Sequence, residues 1–293
     1  MNRLLIIDGH AYAYRAFHAI RELNSPAGHP VNAIYGFVKM LEKMRAAIRP
    51  THLVVVWDGG LSSERMDLLP EYKAQRPEMP GGLRTQIDEI RNYLAAAGII
   101  DYCGEGIEAD DYIACLAGCA AKIAWNVVIA SADKDFMQLV SAHIGLLNPN
   151  DKTGMIWGRE QVSAKTGVEP EQIAEWLALM GDAVDNIAGV PGVGPKTAAE
   201  LLKQFGSIDR LYEQLDKVKS VRLRFALSAA AGVVKRNLKL VRLSEVPCDF
   251  PPEKSGMRPA DLKKLQDFFR HWGFKGMLAE LEAQLTEQQA ELI

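Results

Sequence analysis

Cysteine is scarce in this chain: four in 293 residues, at positions 103, 115, 119 and 248, with no Cys-x-x-Cys pair. That count excludes a disulfide-stapled small fold, and the lack of histidine at finger spacing excludes a zinc-finger site. Cys115 and Cys119 stand one helical turn apart beside Ile113 and Leu116 and read as small, reduced core residues. No apolar run approaches the about 20 residues that a membrane-spanning helix needs; 53–57 and 127–130 are strand length, so no membrane partner is expected. The opening Met1-Asn2-Arg3 leads into Leu4-Leu5-Ile6-Ile7-Asp8, too short for a signal-peptide core, and a cytoplasmic protein is expected. Internal repeats and low-complexity tracts are absent too, which sets aside disordered and fibrous classes.

What is present is ordinary globular composition, 48% hydrophobic and 24% charged, enough for one large domain or two modest ones. The net charge of −3 hides an asymmetry: residues 195–243 hold 11 Lys/Arg against 4 Asp/Glu, a local +7, which leaves about −10 on the remainder. Apolar, β-branched runs at 4–7, 52–57, 99–102, 127–131 and 144–147 alternate with helical stretches at 33–47, 84–97, 110–124 and 136–139. This alternation predicts an α/β fold around a parallel sheet. From about 170 the strand signal stops, and helical pattern with Gly/Pro punctuation covers 171–180, 197–205, 208–213 and 221–242. A proline-rich break at 247–259 precedes a last amphipathic stretch, 260–285.

The carboxylates carry the strongest chemical signal. Asp8 and Asp58 end the first two strands, and Asp133 and Asp135 follow 127–131. In an open parallel sheet, residues just past the strand ends line the edge where ligands bind. Glu108, Asp110 and Asp111 open a helix; a helix N-terminus tolerates acids, but capping does not account for three in four residues. Asp182 and Asp185 are three apart and would share a face on a helical turn. Nine acids from five segments repel one another unless cations sit between them. The donors are all oxygen, which selects Mg²⁺ or Mn²⁺ over zinc. Separate clusters point to two or more ions, the standard device for in-line phosphodiester hydrolysis.

A second signal is Gly189-Val190-Pro191-Gly192-Val193-Gly194-Pro195-Lys196-Thr197-Ala198, running into a helix. Pro195 stands where a P-loop would carry its lysine. A hairpin between two helices that presents the Gly192–Gly194 amides, Lys196 and Thr197 to one DNA phosphate fits better. The third signal is a polar excursion, 62–82, holding Arg65, Tyr72, Lys73 and Arg76, a mixture that suits single-stranded nucleic acid. Prolines at 70, 77 and 80 predict that it is mobile in the free protein and orders over a 5′ single strand. Lys73 then lies beside the scissile phosphate. Arg15, one or two helical turns past Asp8, is placed to reach a phosphate.

The ordered blocks Asp8-Gly9-His10 with Tyr14-Arg15, Val56-Trp57-Asp58, Tyr72-Lys73-Ala74-Gln75-Arg76, Glu108-Ala109-Asp110-Asp111, Ala132-Asp133-Lys134-Asp135, Gly181-Asp182-Ala183-Val184-Asp185-Asn186 and 189–196 resemble the 5′ nuclease (flap endonuclease) superfamily. The likeness is strongest to the 5′–3′ exonuclease domain of bacterial DNA polymerase I and covers about residues 1–281. It implies a PIN-like nuclease core over 1–170 with a helical arch at 61–83, and a helix–hairpin–helix-type DNA-binding module over 171–293. It implies that Asp8, Asp58, Glu108, Asp110, Asp111, Asp133, Asp135, Asp182 and Asp185 hold Mg²⁺, with Mn²⁺ able to substitute, and that Lys73 and Arg15 act on phosphate. It also implies K⁺ on the hairpin backbone, a monomer, and DNA with a 5′ flap, nick or 5′ end, or an RNA primer on DNA, as partner. Glu64 stands before Arg65 where the family usually has an aromatic, and Trp57-Asp58 replaces its Phe-Asp. The alternatives are a non-catalytic binder of branched DNA with this fold and an RNA-cleaving PIN-type nuclease.

Overall fold

The computed structural model describes residues 2–243 and 250–291. Cys248 and the start of the expected break at 247–259 lie outside the described residues. In chain order the elements are β1 (Arg3–Asp8), α1 (Gly9–Ala19), α2 (Asn32–Ile48), β2 (His52–Trp57), α3 (Ser63–Leu68), α4 (Gly81–Ala96), β3 (Ile100–Cys103), α5 (Ala109–Lys122), β4 (Asn126–Ala130), β5 (Ile144–Leu147), β6 (Ile156–Trp157), α6 (Arg159–Thr166) and α7 (Ile173–Met180). There follow β7 (Gly181–Asp182), β8 (Ile187–Ala188), α8 (Pro195–Phe205), α9 (Ile208–Glu213), α10 (Val221–Ala229), α11 (Ala231–Val241), α12 (Leu262–Trp272) and α13 (Lys275–Glu291). The chain forms two compact units, each assembled from separate stretches: Asp58–Glu78 with Cys103–Pro251, and Asn2–Trp57 with Met79–Tyr102 and Pro252–Ile293.

In the unit that begins at Asn2, β1 and β2 pair in parallel, Leu4 opposite His52 through Asp8 opposite Val56. Leu4 to Ile7 and Leu53 to Val56 are fully buried, as continuous apolar runs in a parallel sheet must be. Helix α1 starts directly at the end of β1, a helix the sequence reading did not place, because the Asp8 side chain accepts from the Ala11 amide at 3.0 Å. A polar lock joins α1, α2 and α4. Gln86 Oε1 accepts from the amides of Ala33 (2.7 Å) and Ile34 (3.3 Å), while its Nε2 donates to Asn32 Oδ1 (3.0 Å) and the Gly82 carbonyl (2.9 Å). Asn32 Nδ2 in turn donates to the Phe17 and Ile20 carbonyls at 2.7 and 2.9 Å. The first turn of α2 has no cap of its own, so Gln86 supplies it. The expected helix at 260–285 is divided into α12 and α13 by Gly273, which is left-handed at φ 74°.

In the other unit β4 and β5 run parallel and β6 closes antiparallel on β5. The α/β expectation holds, and the part of this unit after residue 170 is helical apart from the two-residue strands β7 and β8. Those strands correct one expectation: Asp182 and Asp185 lie on a hairpin, not on a helical turn. The expected helix at 221–242 is two helices meeting at Ala230, where small side chains and Gly232 offer little to hold a continuous helix straight.

Replacing Gln86 by leucine leaves three buried hydrogen-bonding groups without partners. The variant is expected to lose about 2–4 kcal/mol of stability, read as a lower urea midpoint at unchanged slope.

Candidate metal centre

Local geometry fixes each acid after β4 and in the β7–β8 hairpin. The Asp133 amide donates to Ser131 Oγ (3.1 Å), and Asp133 Oδ1 accepts from the Asp135 amide (2.9 Å), which starts a short 3-10 helix at Lys134–Leu139. Asp182 Oδ1 accepts from the Val184 amide at 3.0 Å and tightens the turn. Gly181, at φ 78°, is required at the strand start: a Cβ there would lie 2.3 Å from the Gly189 nitrogen. The result is that Asp135, Asp182 and Asp185 each bring a carboxylate oxygen within 4.8 Å of the others. Asp135 Oδ1 is buried and has no hydrogen-bond partner among the described residues. Burial, and then the neighbouring acids Asp133, Asp110, Asp185 and Asp182, push the Asp135 carboxyl well above the usual carboxylate range. Asp133 is raised too, first by burial and then by Asp185 and Asp182, against the Asp135 amide and Lys73.

A second group of acids carries its own counterions. Glu108 and Asp111 are 1% and 2% exposed. Arg65 places Nη1 2.9 Å from Glu108 and grips Asp111 with two bonds of 2.7 Å. Its remaining N–H groups donate to the carbonyls of Leu240 (3.0 Å) and Arg242 (3.2 Å), so all five donors are used. Lys73 Nζ donates to Glu108 and lies 3.7 Å from Asp110. Burial alone would raise the Glu108 carboxyl; Lys73 and then Arg65 outweigh it and hold Glu108 below its ordinary value. Burial would lower the Lys73 ammonium, and Asp110, Tyr72, Glu108 and Asp185 hold it well above the ordinary range. Lys73 also adopts a left-handed backbone, φ 56°, with its amide donating to the Asp185 carbonyl at 3.1 Å. Such strain in a non-glycine residue concentrates at functional sites.

Within the excursion at 62–82 three of the four side chains singled out turn inward. Arg65, Tyr72 and Lys73 are 4%, 3% and 5% exposed, and only Arg76 among the four reaches solvent. The Tyr72 hydroxyl lies 3.3 Å from Glu108 Oε2 and 3.5 Å from Asp185 Oδ2, with one proton to share between them, and Lys73 Nζ stands 4.9 Å from the centre of its ring. Arg65 and Tyr72, read as residues that meet DNA, face inward instead, because the acids beneath the segment attract its cations. Arg76 Nη2 lies 2.7 Å from Asp185.

Asp58 follows β2 and its Oδ1 accepts from the Gly60 amide at 3.4 Å. Asp8 and Arg15 belong to the other unit, where Asp8 is buried as the cap of α1 and Arg15 is exposed on that helix. In the glycine-rich segment, Gly192 has φ 82°, Gly194 is the N-cap of α8, and Pro195 opens that helix. A Cβ added at Gly192 or Gly194 would meet nothing within 4 Å, so both backbones face open space, and Lys196 is exposed beside them while Thr197 is half-buried. Two residues that the motifs contained without a role, Lys134 and Asn186, and one the sequence reading missed, Asn237, also make polar contacts. Lys134 Nζ lies 3.0 Å from Asp182 Oδ2; Asn186, left-handed at φ 59°, donates to the Glu71 carbonyl at 2.9 Å. Asn237, wholly buried on α11, donates to the Ala178 (3.1 Å) and Ala188 (2.8 Å) carbonyls and so anchors β8. Its signal was a lone amide at core spacing between Val234 and Val241.

Two family descriptions match successive parts of the chain: "5'-3' exonuclease, N-terminal resolvase-like domain" over residues 3–167 and "5'-3' exonuclease, C-terminal SAM fold" over 168–263. The chain belongs to the 5′–3′ exonuclease family. It is 38% identical to the 5′–3′ exonuclease of Aquifex aeolicus over 284 residues, 96% of either chain. It is 35% identical to DNA polymerase I of Bacillus caldotenax over 295 residues, which is 99% of this chain and 33% of the polymerase. The chain thus spans a third of that polymerase's length. Among solved structures, a T5 5′-exonuclease with bound divalent zinc ions superposes with a TM-score of 0.69 at 26% identity, over 82% of this chain and 89% of the T5 protein. The family assignment and the α/β architecture agree with the motif-based resemblance.

Arg65→Met is expected to cost about 3–5 kcal/mol, because it leaves the buried Asp111 charge without its partner. Adding Asp111→Leu is expected to restore most of that loss; denaturant melts of the two variants in EDTA give the comparison.

Proposed function

We propose that this chain is a Mg²⁺-dependent, structure-specific nuclease that hydrolyses DNA phosphodiesters at 5′ ends, nicks and 5′ flaps during replication and repair, RNA primers included. The observation that carries this reading is the uncompensated Asp135 oxygen beside Asp182 and Asp185. An orphaned buried carboxylate oxygen within an all-oxygen donor set fits a hard divalent cation. Asp133, Asp135, Asp182 and Asp185 would hold metal, with Glu108, Asp110, Asp111, Asp58 and Asp8 completing the set, and Mn²⁺ would substitute. Metal bound there supplies an activated water and a stabiliser of the leaving oxygen.

The chain's own groups do the rest. Lys73, already held charged among carboxylates, brings positive charge to the scissile phosphate. Arg15 binds a phosphate from α1, and Arg76, half-exposed on Asp185, is positioned to change partner from carboxylate to phosphate. Arg65 and Tyr72 keep Glu108 and Asp111 oriented. The amides of Gly192 and Gly194, with Lys196 and Thr197, hold duplex phosphate away from the cut, with K⁺ on the hairpin backbone. A nuclease core over 1–170, with its arch at 61–83, and a DNA-gripping part over 171–293 divide the labour. The protein acts as a monomer in the cytoplasm, at the nucleoid.

Asp135→Asn keeps the shape of the side chain and removes its charge. Cleavage of a 5′-flap DNA should fall about a hundredfold or more, while affinity for that DNA holds and the melting temperature in EDTA holds or rises. Near-normal turnover in Mg²⁺ would overturn the assignment. Lys196→Ala should weaken binding alike for DNAs of different sequence and reduce the slope of log affinity against log salt by about one; a loss that depends on sequence would rule out a phosphate contact.

A further inference from the structure

One helix turns an apolar face to solvent. Val221 and Phe225 stand one turn apart on α10 and are 69% and 76% exposed, and Phe225 is the most exposed large apolar side chain among the described residues. The helix itself is firmly held. Leu227 is fully buried, its carbonyl accepts from the Tyr212 hydroxyl at 3.1 Å, Arg224 Nη1 donates to the Asp216 carbonyl at 2.9 Å, and the Ser220 side chain caps the first turn. Phe225 is therefore displayed by a fixed scaffold.

The surroundings identify what it meets. Residues 217–243 hold eight Lys/Arg and no Asp or Glu. Arg222, exposed three residues before Phe225, shares its face. A cationic segment of this kind attracts a polyanion, and an exposed apolar ring within it gains only from a polyanion that has apolar surface of its own. Nucleic acid has that surface in its bases. A duplex hides the base faces in its stack, whereas an unpaired strand exposes them.

We propose that the outer face of α10 binds single-stranded DNA, with Phe225 stacked on an unpaired base and Arg222 beside the adjoining phosphate. This rests on the nucleic-acid part of the function proposed above and adds to it a base-contacting site separate from the carboxylates and from the Gly192–Gly194 hairpin.

The test uses the full chain in EDTA, so that no strand is cut. Fluorescence anisotropy compares an oligodeoxythymidylate, the same backbone with abasic sites, and a blunt duplex. Phe225→Ala should weaken binding of the thymidylate about five- to 150-fold and leave the abasic strand and the duplex unchanged, and Phe225→Trp should restore the loss. An equal loss on the abasic strand, or no loss on the thymidylate, as an apolar protein partner for this face would give, overturns the proposal and leaves the nuclease reading standing. If the unaltered chain binds none of the three, both readings fall together.

Discussion

Carboxylates gathered where water is scarce must be compensated, and the arrangement around the candidate centre follows from how that is done. Glu108 and Asp111 are tolerated in near-complete burial because Arg65 and Lys73 enter with them. Asp133, Asp135, Asp182 and Asp185 outnumber the cations near them: Lys134 stands on Asp182, Arg76 on Asp185, and Lys73 acts on Asp133 from the other group. The site therefore has a self-neutralised side and an electron-rich side, and a divalent cation would be drawn to the second. Division of labour among acids of one chemical type thus comes from which of them the chain's own cations reach.

Helix α11 connects these sides without contributing a carboxylate. Asn237 in its middle fixes β8, and with it the hairpin of Asp182 and Asp185. Its C-terminal carbonyls, which no further turn can satisfy, accept from Arg65 and from Gln138 Nε2 (3.1 Å), and Gln138 belongs to the short helix that carries Asp135. One helix, through its middle and its C-terminal end, thereby fixes the supports of three groups of acids.

How much of this was legible depended on range in sequence. A strand with a continuous apolar run, such as His52–Trp57, was readable to the residue because burial on both faces leaves a local signature. The acids past β4 were equally readable, since a strand end is a local event. The inward turn of Arg65 was not: its partners lie 43 to 177 residues further along, and nothing near Arg65 distinguishes a buried guanidinium from a solvated one. Prolines at 70, 77 and 80 argued correctly against one long helix in the excursion but carried no information about packing. The kink at Ala230 had only small side chains and a glycine to announce it, whereas Gly273 was a conventional stop that a period-based reading ran through.

The interleaving of the two units also bears on how the chain comes off the ribosome. The unit that begins at Asn2 depends on its last stretch: the Arg258 amide donates to the Gly98 carbonyl at 2.9 Å, the Asp261 amide to that of Ala96 at 2.8 Å, and His52 bridges to Gly256. Its first strand precedes the other unit in the chain, and its closing segment follows all of that unit. The nascent β1–β2 pair must wait through some two hundred residues of translation with its cover incomplete. Vectorial synthesis therefore leaves β1 and β2 without the last part of their own unit until residues 252–261 have been made.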